Sequence, residues 1–386
     1  MALSAAEIRV DTPANRMATR ATFFVTGMAM GLWAALVPFA QQRTGAEANQ
    51  LGLLLLCLGA GSLLSMSGSG PLIGRLGCRA VIIISVTLYI LMLPLLATLN
   101  DLWLLGGSLF LFGMGIGLTD VAMNVQGSII EQAADKPLMS GFHCLWSVGG
   151  IAGAGGGALL FSVGLTPLTS TFCVMAATAA VLGMSYRSLL TVGNQEKKGE
   201  KRGGRPDFYL ILIALMTLLC FMAEGAVIDW SGVFMHQERG MDVARAGWGF
   251  AVFSLMMSLM RLTGDAVVQR LGRKRILVIG GLLGTIGYSM VVLLPGWVFS
   301  LVGFALIGIG AANIVPVLIT LAGQQKSMPV NMSVALVTAV GYLGVLGGPA
   351  LLGWVAHYAS LYVAFSFLIV GFLIITLGAL KLRYSR

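Results

Sequence analysis

Charged residues are scarce in this sequence: they make up 10% of its 386 positions, while 57% are hydrophobic. A soluble domain carries about 25% charged residues, so a water-soluble fold of this length is excluded. The alternation of polar and apolar residues typical of a membrane β-barrel is also absent. Long apolar runs remain, and in lipid a helix satisfies its own backbone groups within such a run. The composition predicts an all-α membrane protein.

The sequence also lacks the usual motifs of catalysis and of metal binding. Its five cysteines have no paired spacing, which excludes a disulfide framework. No zinc-protease motif, nucleophile elbow or metal-ligand spacing occurs, and no Gly-rich stretch follows a strand as a dinucleotide or phosphate loop requires. We therefore expect no enzyme activity, no metal and no cofactor.

Twelve apolar runs of about 20 residues predict twelve transmembrane helices. We place the spans at 19–40, 50–69, 80–99, 102–127, 139–162, 166–186, 208–230, 245–267, 275–294, 297–322, 330–354 and 360–381. The predicted organisation is a cytoplasmic N-terminal segment 1–18, a six-helix bundle 19–186, a cytoplasmic linker 187–207, a second six-helix bundle 208–381 and a cytoplasmic tail 382–386. The N-terminal segment has no apolar core followed by a cleavage site, so we expect span 1 to act as the insertion signal.

The basic residues set the orientation. With both termini inside, 20 of the 24 Lys and Arg residues fall in cytoplasmic segments. Three fall in external loops, namely Arg43, Arg239 and Arg245, and Arg261 lies within a span. This positive-inside pattern predicts a multi-pass protein of the bacterial inner membrane with cytoplasmic termini. It also accounts for the net charge of +9 without a nucleic-acid partner.

The two halves of the chain repeat one another. Gly115-Ile-Gly-Leu-Thr-Asp120 returns 193 positions later as Gly308-Ile-Gly-Ala-Ala-Asn313. Gly155-Gly-Gly-Ala-Leu-Leu160 returns as Gly347-Gly-Pro-Ala-Leu-Leu352, and Met28-Ala-Met-Gly31 as Met222-Ala-Glu-Gly225. Arg-Leu-Gly with further basic residues follows span 2 and again span 8. The repeat predicts two pseudo-symmetric halves.

A glycine-led loop with Arg-x-Gly-Arg/Lys between spans 2 and 3, repeated between spans 8 and 9, resembles the signature of the major facilitator superfamily. Four stretches, DVAMNVQGSIIEQ, MSGFHCLWSVGGIAGAG, AEGAVIDW and RLTG, are similar to its little-characterised bacterial inner-membrane subgroup typified by YbjJ. The resemblance implies a transporter fold in which spans 1, 4, 7 and 10 line a central cavity. It also implies a small-molecule substrate, and we expect a monomer in the lipid bilayer.

The superfamily loop usually has an acid before its first arginine, and this acid is thought to lock one conformation. Gly74 and Gln269 stand there in this chain. Asp265, one turn earlier, is a candidate substitute in the second half, and we expect none in the first. Arg75, Arg270, Arg261 and Asp265 are the candidate gating charges.

An ionisable side chain within a span costs several kcal/mol unless it meets a partner or a wet cavity. Glu224 in span 7 is our first candidate for a proton-coupling carboxylate, and Asp120 in span 4 is the second. Asn124, one turn after Asp120, and Asn313, its counterpart in span 10, are candidate substrate contacts. Packing by a protonated Glu224, or an ion pair between Asp120 and Arg261, is the competing interpretation.

Further candidates for the substrate cavity are Trp33, Gln126, His143 and Asp229. His143 can titrate near neutral pH, but its position beside the cytoplasmic boundary favours an interface anchor. Trp33 faces either the cavity or lipid, and Asp229 suits an interfacial cap. Gly149, Gly153 and Gly157, and likewise Gly344 and Gly348, are spaced four apart, which predicts close helix packing. Pro316 in span 10 predicts a bend.

These features favour a secondary active transporter that moves a small solute by alternating access, driven by protons. Symport of a polar, sugar-like solute fits the polar side chains at the predicted cavity. Proton-driven efflux of drugs or metabolites is the alternative, since 21 Met and 18 Phe could line an adaptable apolar cavity. A sensor or assembly protein that kept the fold without transport is a second alternative, supported only by the missing loop acids.

Overall fold

A computed structural model describes residues 10–46, 48–193, 204–241 and 247–382, and every regular element within these ranges is helical. The predicted N-terminal segment up to residue 9, linker residues 194–203 and the end of the tail from residue 383 lie outside the described residues. The helices are α1 (Pro13–Thr44), α2 (Ala48–Thr98), α3 (Leu102–Ala134), α4 (Met139–Ser162), α5 (Pro167–Ser185), α6 (Phe208–Gln237), α7 (Trp248–Leu271), α8 (Arg273–Leu293), α9 (Trp297–Ala311), α10 (Ile314–Gly323), α11 (Val330–Tyr358) and α12 (Leu361–Lys381). A short 3₁₀ turn, Tyr186–Ser188, follows α5.

Eleven helices in the described ranges are long and apolar enough to cross a membrane, with α9 and α10 forming one of them. The longest, Leu53–Thr98, has 46 residues, about 69 Å at 1.5 Å per residue and more than twice the hydrocarbon thickness. Gly77 interrupts it with non-helical angles, so α2 contains two spans. The predicted all-helical membrane fold is confirmed.

Polar residues fix where several spans begin. Asp101 accepts hydrogen bonds from the backbone N–H groups of Trp103 and Leu104 at the start of α3. Asp207 accepts one from Leu210 at the start of α6. Such caps satisfy N–H groups that have no partner within the helix, so these carboxylates serve the fold.

The repeated Arg-Leu-Gly turn has the same backbone geometry in both halves. Gly77 has φ 78° and ψ 162°, and Gly272 has φ 80° and ψ 151°. Residues with a Cβ atom are disfavoured at these angles, whereas glycine adopts them readily. The glycine therefore allows the chain to turn between spans 2 and 3 and again between spans 8 and 9.

The two arginines Arg43 and Arg239, which the sequence predicts to be external, have matching structural roles. Arg43, at the end of α1, donates to the carbonyl oxygens of Leu96, Ala97 and Leu99 at the end of α2. Arg239, after α6, donates to those of Val291 and Leu294 at the end of α8. The last carbonyl groups of a helix lack partners within it. These exceptions to the positive-inside pattern therefore cap two pseudo-equivalent helices.

The glycine faces allow close helix packing, as the spacing predicts. A methyl group added at Gly149 or Gly153 of α4 would overlap the carbonyl oxygens of Phe24 or Met28 in α1. In the second half, one added at Gly344 of α11 would overlap the carbonyl oxygen of Leu218 in α6. The packing role predicted for these glycines is confirmed.

The predicted bend in span 10 is also confirmed. The helix breaks between Ala311 and Ile314, where Asn313 has φ −108° and ψ 0°. Pro316 has no N–H to donate to the carbonyl oxygen of Ala312, four residues earlier. The break therefore leaves one backbone acceptor of span 10 available to another residue.

The most extensive contacts between the halves are those of α2 with α11 and of α4 with α7, and α10 and α11 also contact α3. Gly59 of α2 contacts Leu346 of α11, and Gly141 of α4 contacts Asp265 of α7. Polar side chains from both halves approach one another along these contacts, so the interface between the halves brings together the residues of the candidate site.

The glycine face of α4 gives a matched pair of variants. We expect Gly153→Ala to destabilise the protein by about 1–3 kcal/mol, because the methyl group overlaps backbone that cannot easily move. Gly155, two residues on, has nothing within 4 Å of an added methyl group. Gly155→Ala should leave stability unchanged or raise it by up to about 1 kcal/mol, the helix-propensity gain. Thermal unfolding in detergent measures both, and equal melting temperatures would contradict the packing role.

Candidate functional site

Arg261 of α7 is buried and contacts three other helices. Its Nη2 lies 3.6 Å from Oε2 of Glu224 on α6. Its Nε donates to the carbonyl oxygen of Ala312 at 3.2 Å, and its Nη1 to Oγ of Ser147 on α4 at 3.4 Å. Ser147 belongs to the first half and the other partners to the second. One guanidinium therefore joins the two halves near their centre.

The break in span 10 explains one of these contacts. Pro316 leaves the carbonyl oxygen of Ala312 without its usual helical partner, and Arg261 donates to that oxygen. An unpaired carbonyl within the membrane costs several kcal/mol. Arg261 therefore supplies the hydrogen bond that Pro316 cannot donate to Ala312.

Glu224 is paired within the second half. Its Oε2 faces Arg261, and its Oε1 lies 3.6 Å from Sγ of Cys220, one turn earlier. The side chains of Glu224 and Arg261 are only 13% and 8% exposed. Each charge offsets the cost of burying the other, and removing either would leave an uncompensated charge. The pair that we considered between Asp120 and Arg261 is wrong, since Arg261 pairs with Glu224.

A second polar group lies in the first half. Nδ2 of Asn124 donates to the carbonyl oxygen of Asp120 at 2.9 Å, and Oδ1 of Asn124 lies 3.2 Å from Nε2 of His143. Because the amide nitrogen of Asn124 donates to the Asp120 carbonyl oxygen, the amide oxygen of Asn124 faces the His143 ring. An amide oxygen only accepts, so Nε2 of His143 is the donor in this hydrogen bond. The ring also packs edge-on against Phe23. The interface-anchor interpretation of His143 is therefore wrong.

The two polar groups are connected through α4. His143 and Ser147 are one turn apart, and the Ser147 hydroxyl also approaches the His143 carbonyl oxygen at 3.4 Å. The order of residues is Asp120, Asn124, His143, Ser147, Arg261 and Glu224. Five of these six were candidates from the sequence, and Ser147 was not.

Asp120 has a different environment from Glu224. It lies 18 residues after the start of α3, about 27 Å along a 33-residue helix. Its side chain is partly exposed, although its neighbours Thr119 and Val121 are buried. Across the halves, α11, which carries Tyr342, packs against α3. Within the described part of the chain, the Asp120 carboxylate has no hydrogen-bond or ion-pair partner.

Asn313 lies at the inter-half contact of α4 with α7. Its Nδ2 donates to the carbonyl oxygen of Met260 at 3.4 Å. Its Oδ1 is buried without a hydrogen bond from any described residue, beside Gly264 and Ser140. Asn313 therefore faces the opposite half, as the repeat suggested, but it is not opposite Asp120 in a shared contact.

Other candidates lie elsewhere. Gln126 is fully buried, and its amide is used by Thr19 and by the backbone N–H of Leu190. Both hydrogen-bonding groups of the Gln126 amide are therefore used within the first half, and the assignment of Gln126 to a substrate cavity is wrong. Trp33 is 3% exposed, which rules out the lipid-facing alternative. Asp229 is exposed near the far end of α6.

The predicted gating arginines are exposed, and another arginine has the interhelical contacts. Arg75 and Arg270 lie on the surface at the two Arg-Leu-Gly turns. Arg273, at the start of α8, instead lies 3.5 Å from Oε1 of Glu131 in the first half. It also donates to Oε1 of Gln324 at 3.4 Å. The assignment of Arg75 and Arg270 as interhelical charge contacts is therefore not supported by their positions.

Glu131 was missed because we ended span 4 at residue 127, whereas α3 continues to Ala134. Its Oε2 accepts hydrogen bonds from the backbone N–H groups of Leu138 and Met139, both at 2.8 Å. Its Oε1 accepts one from the hydroxyl of Thr320 in α10 at 2.7 Å. Glu131 therefore caps α4 and joins it to the second half. In the sequence, the acid at the end of Ser128-Ile-Ile-Glu-Gln132 already indicated a charged position next to span 4.

Two further contacts join the halves at the same end of the bundle. Asp265 accepts a hydrogen bond from the backbone N–H of Gly141 at 3.0 Å. Asn331 of α11 donates from Nδ2 to the carbonyl oxygen of Gly70 at 2.6 Å. Its Nδ2 also lies 2.6 Å from where a methyl group on Gly74 would be. The first half still contributes no acid at this turn, and Asn331, an uncharged residue of the opposite half, occupies the space beside Gly74.

Comparisons with known proteins agree with this architecture. Residues 213–386 match the family model described as Major Facilitator Superfamily. An uncharacterized MFS-type transporter of Yersinia pestis is 42% identical over 369 residues, covering 95% of this chain and 94% of the relative. An uncharacterized transporter of Sinorhizobium fredii is 32% identical, covering 92% of this chain and 94% of the relative. Membrane protein MosC of Rhizobium meliloti is 27% identical, covering 90% and 85%.

Among solved structures, the transporter FucP in its outward conformation superposes with a TM-score of 0.82 at 16% identity. The match covers 98% of this chain and 100% of FucP. The human organic anion transporter MFSD10 gives a TM-score of 0.73 at 14% identity, covering 96% and 100%. These likenesses confirm the fold, and the sequence relatives establish that the chain belongs to the major facilitator superfamily, whose members are membrane transporters for small molecules and not enzymes.

Proposed function

We propose that this protein is a secondary active transporter of the bacterial inner membrane that couples proton movement to symport of a small polar solute. The observation that carries the proposal is the Glu224–Arg261 pair, a titratable ion pair near the middle of two helices. FucP, which shares the fold, is described as a fucose:proton symporter.

The pair is placed so that a proton can alter a contact between the halves. A protonated Glu224 cannot form an ion pair, and Arg261 then lacks the charge that holds its Nη2. The same guanidinium donates to Ser147 of the other half. A proton on Glu224 therefore changes the forces on an inter-half contact, which is what coupling to alternating access requires.

The end of the bundle that contains the Arg-Leu-Gly turns is where the halves are joined by Glu131, Asp265 and Asn331. By the distribution of basic residues, that end faces the cytoplasm. We therefore interpret the structure as outward-facing, with these three residues closing the cytoplasmic gate. The bundles 19–186 and 208–381 move against each other as a monomer, joined by the linker 187–207, with both termini in the cytoplasm.

Replacing Glu224 tests the coupling. In proteoliposomes containing a pH-sensitive dye, we test a panel of sugars, polyols and amino sugars, and we expect a transported member of the panel to drive proton entry with the wild-type protein. Glu224→Gln should lower this solute-driven signal by about tenfold or more, a barrier change of at least 1.4 kcal/mol. Equal proton entry with the variant would contradict the role of Glu224.

The same substitution leaves Arg261 buried without a counter-charge, which costs about 3–5 kcal/mol. A control is therefore needed for stability. The double variant Glu224→Gln/Arg261→Gln should regain much of the lost melting temperature, since neither charge remains. It should still lack solute-driven proton entry. Recovery of coupling in the double variant would show that the pair serves only packing.

Glu131→Gln tests the cytoplasmic gate. One oxygen of Glu131 faces two N–H groups and the other faces a hydroxyl and Arg273, so an amide must turn its NH₂ group toward donors on one side. We expect the open population to rise about tenfold or more, since a charged hydrogen bond contributes about 1.5–3 kcal/mol. Spin labels on the exposed residues Lys136 and Lys274 measure the separation of the halves.

The control for this variant is Asp135→Asn, four residues away at the exposed position that directly follows α3. Asparagine tolerates the left-handed conformation that Asp135 adopts, with φ 49°. The label distances should remain as in the wild-type protein. If Glu131→Gln and Asp135→Asn give the same distances, Glu131 does not hold the gate.

A further inference from the structure

Asp120 is the one acid of the central polar chain without a compensating partner. Glu224 pairs with Arg261, and at the gate Glu131 faces Arg273 while Asp265 accepts from a helix N-terminus. The described residues provide no such partner for the Asp120 carboxylate. Within a span, an uncompensated carboxylate is costly, so this residue is held at the expense of stability.

Arg261 cannot supply the missing charge in this conformation. It is held by Glu224, by the carbonyl oxygen of Ala312 and by Ser147. Asn124 and His143 lie between it and Asp120 in the polar chain. Nε2 of His143 is used by Oδ1 of Asn124, and the ring forms no ion pair with Asp120 in the described part of the chain.

The carboxylate is accessible from the contact between the halves. Asp120 is partly exposed, while the residues on either side of it in α3 are buried. Helix α11 of the opposite half, which carries Tyr342, packs against both α2 and α3. The backbone of Ser62 in α2 contacts Gly117, one turn before Asp120, while the buried Ser62 hydroxyl donates to the carbonyl oxygen of Gly113. The Asp120 carboxylate therefore lies where α2, α3 and α11 converge.

These groups favour one class of ligand. A primary ammonium group carries the missing positive charge and three N–H donors, and it can pair with the carboxylate. The partly exposed Tyr342 of α11 offers a hydroxyl group on this face, which suits a polar solute with hydroxyls of its own. An anion would meet both Asp120 and Glu224, and a neutral sugar would leave the Asp120 charge uncompensated.

We propose that Asp120 binds the ammonium group of a small, hydroxylated amine, such as an amino sugar, as the solute of this transporter. This inference rests on the proposed transport function, but it concerns binding, and it assigns Asp120 to the solute and Glu224 to the proton. Asp120 is a binding residue, placed where α2, α3 and α11 converge.

The test is equilibrium binding to the purified full-length protein in detergent, without a gradient. The probes are glucosamine, galactosamine and mannosamine, with the corresponding neutral sugars and uronic acids. We expect at least one amino sugar to raise the melting temperature by mass action, and its neutral and acidic counterparts to leave it unchanged. Asp120→Asn should weaken that binding by about tenfold or more.

Two controls make the outcome decisive. Because Asp120 has no partner, Asp120→Asn without ligand should melt at the wild-type temperature or above it, which a structural role would not give. Gly155→Ala, where an added methyl group meets nothing within 4 Å, should bind the amino sugar as the wild-type protein does. Because binding is measured without a gradient, failure of the coupling proposal would leave this result unchanged. No response to any amino sugar, an equal response to neutral or acidic sugars, or unchanged binding by Asp120→Asn would overturn the inference.

Discussion

The guanidinium of Arg261 is the constraint on which the centre of this structure depends. A permanent positive charge within a span must be neutralised and hydrogen-bonded. Glu224 supplies the charge, Pro316 frees the carbonyl oxygen of Ala312, and Ser147 adds a hydroxyl group from the other half. An acid, a helix break and an inter-half contact that look independent in the sequence are thus parts of one arrangement.

Duplication explains the positions of the functional residues, and departures from it explain their charges. Gly77 and Gly272 keep the same turn, and Arg43 and Arg239 cap equivalent helices. The acids, in contrast, have uncharged counterparts: Asp120 with Asn313, Glu131 with Gln324 and Asp265 with Gly70. A perfectly symmetric transporter would have paired acids. Here each half contributes different charges.

The sequence was sufficient for the spans, the repeat and the glycine packing, because apolar run length and four-residue spacing follow directly from helix geometry. It also identified most members of the central polar chain. It could not identify their partners. Distance along a helix placed Asp120 and Arg261 at a similar depth, but it gave no information on the direction of either side chain. Gln126 shows the same limit, since a buried amide serves a neighbouring backbone as readily as a solute.

The gate shows why the missing loop acids do not argue against transport. At pseudo-equivalent positions, Asp265 accepts from the backbone of α4, whereas Gly70 offers its own carbonyl oxygen to Asn331. The acceptor lies at the equivalent position in both contacts, but it is a side chain at Asp265 and a backbone carbonyl at Gly70, and the contact between the halves is kept. Asn331 also lies beside Gly74, which stands where the acid is usual, and a larger residue there would meet its amide. Glycine at this position is thus part of the substitute contact. The hypothesis of a non-transporting protein was supported only by these missing acids, and Asn331 removes that support.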